Sequence, residues 1–340
     1  MDYRAPGAGI AFVPCTCGEL VQGTLEGEPF LVSCPIDRYS RVRVLVRDVQ
    51  PVVTTSVVRS WSVEPVERTA KAATTLCDPT FKARRAAANT LAALGYPDLP
   101  FTLEVSCPLP PSKGFGTSTA DVVGAITAAA AAVGSSLKPE QMARLAVAIE
   151  PSDGTMFPGL ALFDHRAGRR WETLGPAPSL LVAVLEFEGV VDTMAYNARL
   201  DLASLRSLEP GHREALGLLR QGVQEDRPDL IGLAATISAR INQQLLPKPE
   251  LEGVISLGTE AGALGVCAAH SGTALGVLFR PEEIQGARTL LAEARCHLQG
   301  LRDGWISRLV GGGAQAVFDR GDTENRQMDE VETGSPMSPW

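Results

Sequence analysis

Apolar and polar positions alternate along the first part of the chain, as they do in the strands of a half-buried sheet. The stretch "GIAFVPCTCGELVQG" (9–23) mixes apolar with small residues and ends in a glycine turn, and "PFLVSCPIDRYSRVRVLVRD" (29–48) predicts two further strands. The segment "RVRVLVR" alternates strictly, so one of its faces packs and the other contacts water. The pattern therefore predicts that the chain begins with a β-sheet.

Helical and strand patterns then follow one another to the end of the chain. Helices are predicted in 78–100, 138–150, 211–224, 227–244 and 281–298, and strands in 101–107, 160–164, 179–187, 265–272, 274–279 and 311–318. This order favours an α+β protein of two lobes rather than a parallel sheet. We place the N-terminal lobe at 1–175, the C-terminal lobe at 176–318 and a disordered tail at 319–340, where the sequence turns polar.

Composition narrows the function classes. The chain has 340 residues, which is enough for two packed cores, and its formal net charge of −8 disfavours a nucleic-acid partner. The N-terminal residues lack the basic start and apolar centre of a signal peptide, and no apolar run is long enough to span a membrane. We therefore expect a cytoplasmic protein without a membrane partner; a homodimer is left open.

The seven cysteines are spread along the chain and are odd in number. In a chain of this size that spacing does not indicate a disulfide framework, so free thiols are expected. Cys15 and Cys17 point to one face of a strand, and Cys34 lies on the next one. Because no histidine or second close pair completes a tetrahedral set, small buried residues are favoured over a metal site.

The stretch "PPSKGFGTSTADVVGAITAAAAAVG" (110–134) predicts an anion site at the start of a buried helix. Gly114 and Gly116 permit conformations that a Cβ would block, and Thr117, Ser118 and Thr119 are all suitable N-cap residues. The helix itself is almost entirely alanine and valine, so it is expected to be buried. Backbone N–H groups and the positive end of the helix dipole together favour a bound anion at such a start.

Known phosphate motifs do not match this stretch. G-x-G-x-x-G fails because Thr119 stands at the third glycine, and G-x-x-x-x-G-K-[ST] fails because Lys113 precedes the glycines. The rival is the nucleophile elbow G-x-S-x-G, in which Ser118 would be a hydrolase nucleophile with His270 or His297 as its base.

A resemblance to a known family narrows the choice. The segment "PPSKGFGTSTAD" is similar to the second signature of the GHMP kinases, P-x-x-x-G-L-G-S-S-A. "CTCGELVQG", "VSCPIDRYS", "IEPSDGTMF", "INQQLLPKPEL" and "AHSGTALGVLF" resemble the branch formed by bacterial L-threonine kinases of cobalamin synthesis. The likeness runs from about Pro14 to Phe318. It implies the two-lobe GHMP fold, with an N-terminal lobe like ribosomal protein S5 and a ferredoxin-like C-terminal lobe, and an enzyme that uses ATP and Mg²⁺.

The same resemblance assigns roles to individual residues. The ATP-binding loop would consist of Pro111, Lys113, Gly114, Phe115, Gly116, Thr117, Ser118 and Thr119. Ser118 and Glu150 would hold Mg²⁺, and Asp153 would orient or deprotonate the acceptor hydroxyl. His270, Ser271, Gly272 and Thr273 replace the glycine-rich third signature and are assigned to the substrate.

The implied reaction is phosphorylation of L-threonine. An amino-acid acceptor carries an ammonium group, for which Glu19 and Asp37 are the candidates; no arginine stands out for its carboxylate. Homoserine or serine as acceptor, or a nucleotide-binding module without chemistry, remain alternatives. Lys82, Arg84 and Arg85 are interpreted as a solvated helix face rather than a nucleotide clamp, and His165 and His212 as surface residues.

Overall fold

The computed structural model describes residues 7–47, 80–189 and 206–319. Residues 320–340 of the predicted tail lie outside the described residues. The strands are β1 (Ala8–Leu25), β2 (Glu28–Val46), β3 (Phe101–Ser106), β4 (Leu160–Phe163), β5 (Trp171–Gly175), β6 (Leu181–Phe187), β7 (Gly265–Ala268), β8 (Leu275–Phe279), β9 (Leu301–Arg308) and β10 (Gln315–Asp319). The helices are α1 (Phe81–Ala93), α2 (Thr117–Ala132), α3 (Pro139–Val147), α4 (Glu209–Gln224), α5 (Pro228–Asn242), α6 (Leu251–Glu260) and α7 (Ile284–His297).

One antiparallel sheet runs through the described molecule. Its strand order is β5-β4-β2-β1-β7-β8-β6-β9, while β3 pairs with β2 and β10 pairs with β1. The α+β class is thereby confirmed. The prediction of two strands in 29–48 was wrong, because β2 continues without a break from Glu28 to Val46. Its pairing with β1 shifts register between Pro14 and Val21, and this irregular part of β1 carries residues of the cleft described below.

The alanine-rich helix α2 packs tightly on the hairpin formed by β1 and β2. Nearly all of its residues are buried, as the sequence predicted. Glycines make this close approach possible, since a Cβ added at Gly9 would lie 2.0 Å from Ala128 O and one at Gly124 would lie 2.6 Å from Val42 Cγ2. The start of α2 is therefore fixed by a rigid, closely packed scaffold.

The two predicted lobes share strands. The C-terminal strand β10, which we assigned to the second lobe, pairs with β1 along Ala8 to Phe12. Near its other end β1 contacts β7 through Glu19 and Ala268. The hairpin of β1 and β2 thus connects both halves of the sheet, and the lobe boundary near residue 175 stays a prediction. Across the described ranges, no helix combines the length and apolar character that crossing a membrane requires.

The six described cysteines are free thiols; Cys15, Cys17, Cys34 and Cys267 are buried, Cys107 is partly buried and Cys296 is exposed. Cys15 contacts Cys107, with 3.7 Å between the sulfurs. Cys17 and Cys34 instead both face Cys267, whose thiol donates to Cys17 O at 3.2 Å. The two cysteines of the C-x-C segment therefore have different sulfur neighbours.

Candidate active site

The loop before α2 leaves the helix start open. Gly114 has a φ of 92°, and Gly116, which immediately precedes the first helical turn, has a φ of 60°. No described side chain caps this turn, so the expectation that Thr117, Ser118 or Thr119 is the N-cap was wrong. The first backbone N–H groups of α2 therefore remain available to an anion at the positive end of the helix dipole.

Neighbouring segments hold this loop from two sides. Thr16 N donates to Phe115 O at 2.9 Å, and Gly18 N donates to Gly114 O at 3.1 Å, both from β1. From the segment between β7 and β8, Gly272 packs so closely that an added Cβ would lie 2.3 Å from the carbonyl carbon and oxygen of Lys113. The single glycine left in the third signature therefore has a packing role against the loop.

Asp153 reaches the same loop from the turn that follows α3. Its backbone N–H donates to Thr119 Oγ1 at 3.1 Å. A Cβ added at Gly116 would lie 2.5 Å from Asp153 Oδ2 and 2.7 Å from Thr16 Oγ1, so glycine is what lets the carboxylate come this close to the helix start. Burial, and to a smaller extent the charge of Glu150, raise the pKa of Asp153 to about 6.

Glu150 connects the loop to α1. The Ser118 hydroxyl donates to Glu150 Oε1, and the Lys82 ammonium donates to Glu150 Oε2 at 2.5 Å. The Glu150 side chain is 6% exposed and that of Lys82 is 48% exposed. The interpretation of Lys82 as part of a purely solvated face was therefore wrong. Its helical pattern contains no signal of a partner 68 residues further along the chain.

Glu19 lies in the same cleft on the irregular part of β1. It is only 3% exposed, and its Oε2 atom has no hydrogen-bond partner among the described residues. Burial, followed by the charge of Asp153, raises the pKa of Glu19 well above its usual range. A cation that entered beside these two carboxyl groups would favour their ionised forms.

A glutamine fixes the orientation of His270. Gln22 Nε2 donates to Ala268 O at 3.2 Å, which turns Gln22 Oε1 toward His270 Nδ1 at 2.7 Å. Because an amide oxygen only accepts, Nδ1 carries the proton of the neutral ring and Nε2 carries the lone pair. Burial holds the pKa of His270 well below its usual range. The ring of His165 stands edge-on to it, with centroids 5.0 Å apart.

His165 and His212 are both buried, which corrects their assignment to the surface. They are 3% and 2% exposed. His212 Nδ1 accepts a hydrogen bond from Thr24 N at 3.1 Å, and burial lowers its pKa to about 4. His165 instead lines the cleft, and its carbonyl oxygen accepts from Ser152 N at 2.9 Å, beside Asp153.

The cleft brings together most of the predicted site residues. Those that line it are Glu19, Gly114, Phe115, Gly116, Thr117, Ser118, Thr119, Glu150, Asp153, His270 and Ser271. Thr16, Leu31, Ser112 and His165 complete the lining, together with the turn that carries Asp153. These four were not assigned from the sequence, because their proximity depends on strand register and long-range packing.

Lys113 does not offer its charge to the cleft. Its ammonium is buried and donates to Phe187 O, at the end of β6, and to Gly189 O, each at 2.7 Å. It also lies 3.8 Å from Glu186 Oε1. The expected contact of this ammonium with a nucleotide is therefore wrong. Lys113 instead connects the loop to β6 through its hydrogen bonds to Phe187 O and Gly189 O.

Three other predicted site residues lie apart from the cleft lining. Asp37 Oδ1 accepts from Arg308 N at 3.0 Å, and its assignment to the ammonium group of a substrate stays a prediction that the cleft lining does not support. Thr273 Oγ1 donates to Phe187 O at 3.1 Å, and Pro111 is exposed. Gly272, which packs against Lys113, is also absent from the lining.

The arrangement does not fit a serine hydrolase. The Ser118 hydroxyl donates to a carboxylate, Glu150, and not to a histidine. His270 directs Nδ1 to Gln22, and His297 is exposed on α7 beside Glu293. A nucleophilic serine needs a base within hydrogen-bond reach, and neither candidate histidine pairs with Ser118.

Comparisons with known proteins agree with this geometry. The model described as "GHMP kinases N terminal domain" matches residues 82–159, and "GHMP kinases C terminal" matches residues 219–293. An L-threonine kinase of Salmonella typhimurium is 29% identical over 91% of this chain and 96% of its own. One of Citrobacter freundii is 30% identical over 79% and 86%, and a homoserine kinase of Picosynechococcus is 26% identical over 62% and 70%.

Solved structures share the fold at lower identity. The crystal structure of homoserine kinase from Cytophaga hutchinsonii has a TM-score of 0.65 at 17% identity, over 91% of this chain and 97% of that one. Both halves of the chain match one family, and the matches include the loop, Asp153 and the third-signature segment. The chain therefore belongs to the GHMP kinase family and is a kinase.

Proposed function

We propose that this kinase transfers the γ-phosphoryl group of ATP to the side-chain hydroxyl of L-threonine, giving O-phospho-L-threonine and ADP. The observation that carries the proposal is the Asp153 carboxylate held against the open start of α2 at Gly116. L-threonine is favoured as acceptor because the two relatives of that activity align over more of this chain than the homoserine kinase does.

ATP would place its phosphates at the start of α2. There the first-turn N–H groups and the helix dipole meet a loop that β1 and Gly272 already hold in shape. Donors fixed before the ligand arrives stabilise developing negative charge without reorganisation. Phosphoryl transfer depends mainly on such positioning and charge neutralisation.

Ser118 and Glu150 would hold Mg²⁺. Magnesium prefers oxygen ligands and commonly takes one or two from the protein and the others from phosphates and water. Within the described ranges, no group of three or more His, Cys, Asp or Glu side chains is arranged to hold a metal, so water and nucleotide oxygens would complete the coordination of the ion. The buried Glu150 carboxylate already binds a cation, the Lys82 ammonium, which supports the fit. Bound there, Mg²⁺ would neutralise phosphate charge.

Asp153 would orient the acceptor hydroxyl and take its proton. As the hydroxyl oxygen forms its bond to the γ-phosphorus, the bond from that phosphorus to the bridging oxygen of ADP breaks, and the proton moves to the carboxylate. A pKa of about 6 leaves Asp153 ionised at neutral pH while keeping it a better base than an exposed aspartate.

Glu19 would bind the ammonium group of the amino acid. Its buried Oε2 atom has no hydrogen-bond partner among the described residues, and the residue lines the same cleft as the loop and Asp153. Leu31 also lines the cleft and would contact the methyl group that distinguishes threonine from serine. The proposed selectivity thus combines one charged contact with one apolar contact.

The test is ADP release with Mg²⁺-ATP and a panel of L-threonine, L-serine, L-homoserine and D-threonine, with the product identified by mass. Selective turnover of L-threonine is expected, and Asp153→Asn serves as the inactive control. Preferred turnover of L-homoserine or L-serine would show that L-threonine is not the acceptor. Nucleotide binding without turnover of any alcohol would contradict the proposed reaction.

A further inference from the structure

Lys82 is the cation that contacts the proposed metal ligand. It is the second residue of α1, and its ammonium lies 2.5 Å from Glu150 Oε2, while the Ser118 hydroxyl occupies Glu150 Oε1. The Lys82 ammonium and the Ser118 hydroxyl therefore bind the two oxygens of the same carboxylate. Its side chain is half exposed, whereas that of Glu150 is buried.

Two other lysines near the loop are committed elsewhere. Lys113 is buried and donates to the carbonyl oxygens of Phe187 and Gly189. Lys248 is also buried and donates to Ala269 O at 2.7 Å. Both are held by carbonyl groups in closely packed surroundings. Lys82 differs because a flexible four-carbon stem carries its ammonium from the edge of the cleft.

We propose that Lys82 alternates between two partners: the Glu150 carboxylate when no divalent cation is bound, and the phosphate oxygens of the nucleotide when Mg²⁺-ATP is bound. This inference rests on the proposed function of Glu150 and Ser118. It places the positive charge that contacts the phosphates on α1.

Charge balance is the physical reason. A buried carboxylate without a counter-charge is costly, so the ammonium stabilises Glu150 in the empty enzyme. A divalent cation competes for the same carboxylate and brings twice the charge. The displaced ammonium is then beside a strongly anionic triphosphate, where a cation stabilises charge that develops during transfer.

The test separates cation binding from turnover. Mn²⁺ is titrated into the nucleotide-free protein and unbound Mn²⁺ is followed by electron paramagnetic resonance. Lys82→Met removes the competing ammonium, so Mn²⁺ is expected to bind roughly two- to fivefold more tightly, the range for one partly exposed ion pair. In the same variant kcat with Mg²⁺-ATP is expected to fall about ten- to a hundredfold, because a phosphate contact is lost.

Two variants serve as comparisons. Lys82→Arg keeps the charge and can bind the carboxylate through two nitrogens, so Mn²⁺ affinity is expected to stay at or below that of wild type, with kcat closer to wild type. Arg85→Met removes one positive charge from the exposed face of the same helix and is expected to change neither quantity. Thermal melting of each variant checks the fold.

Unchanged or weaker Mn²⁺ binding by a folded Lys82→Met protein would overturn the inference, as would a kcat within twofold of wild type. If Lys82→Met does not fold, tighter Mn²⁺ binding by Lys82→Arg than by wild type would overturn it instead. Mn²⁺ binding by Ser118→Ala and Glu150→Gln shows whether the Lys82 inference alone is wrong or whether the proposed metal site is wrong as well. If neither weakens Mn²⁺ binding, the metal site itself is wrong; if both do, only the role of Lys82 fails.

Discussion

The two ends of the cleft are built differently. We name them after the proposed function: the phosphate end consists of residues 114–119, Glu150 and Lys82, and the acceptor end consists of Glu19, His165 and His270. At the phosphate end the donors are backbone N–H groups and a half-exposed ammonium. At the acceptor end the groups are side chains, and Glu19 and His165 are each 3% exposed.

This difference matches what each end has to bind. A triphosphate brings its own large charge, so fixed dipoles and a single cation suffice. A small zwitterion is recognised by a few groups, and their burial pushes them toward their neutral forms: the pKa of Glu19 is raised and that of His270 is lowered. The empty acceptor end is thus close to neutral, and an entering ammonium group would restore the charge on Glu19.

The largest effect is expected where the two ends meet, at Asp153. Asp153→Asn keeps the shape but removes the proton acceptor, so kcat is expected to fall about a thousandfold, within the range for general-base catalysis. Binding of a fluorescent ATP analogue is expected to be unchanged. A kcat within tenfold of wild type would show that the carboxylate is not the base.

Gly116→Ala disrupts the close approach of the Asp153 carboxylate to the start of α2. Its Cβ would lie 2.5 Å from Asp153 Oδ2, at a φ that also strains alanine, so kcat/KM is expected to fall roughly a hundredfold. Gly134→Ala is a matched control, because Gly134 follows the same helix with a φ of 73° and no heavy atom within 4 Å of an added Cβ. It carries the backbone strain alone, and steady-state kinetics are expected to stay at the wild-type level. Equal losses in both variants would contradict a specific role of Gly116.

The same contrast explains how much the sequence predicts. The phosphate loop and Asp153 lie in short contiguous motifs, so residues 114–119 were recognisable from glycine spacing and helix pattern. Glu19, His165 and His270 meet only through strand register and packing, and His165 was placed on the surface because nothing local marks it as buried. Lys82 was misassigned for the same reason.

The fold follows a similar rule. Strands with strong apolar patterns, such as β6 and β8, were predicted, whereas β5 and β9 were not. These two end the main strand order of the sheet and pair on one side only. Most of their residues are partly or fully exposed, so their sequences lack the alternation that identifies a strand.

Glu19→Gln tests the charge of the acceptor end. Loss of a charged contact to the ammonium group is expected to raise KM for the amino acid about ten- to a hundredfold, with little change in KM for ATP. Since the raised pKa shows that folding disfavours the ionised form of Glu19 at neutral pH, the variant is also expected to melt a few degrees higher. A lower melting temperature together with an unchanged KM would contradict both roles.

The smallest expected effect is the pH dependence of kcat/KM, which reports on Asp153 between the two ends. With a pKa of about 6, Asp153 loses its basic form as pH falls, so kcat/KM is expected to decrease about tenfold per pH unit below that value. Burial raises the pKa of Asp121 to about 6 as well, and this residue, the fifth of α2, accepts a hydrogen bond from the Ser40 hydroxyl. Asp121→Asn is therefore the control. If kcat/KM of this variant decreases at low pH as in the wild type, Asp153 is the titrating base; if the decrease disappears, it is caused by Asp121.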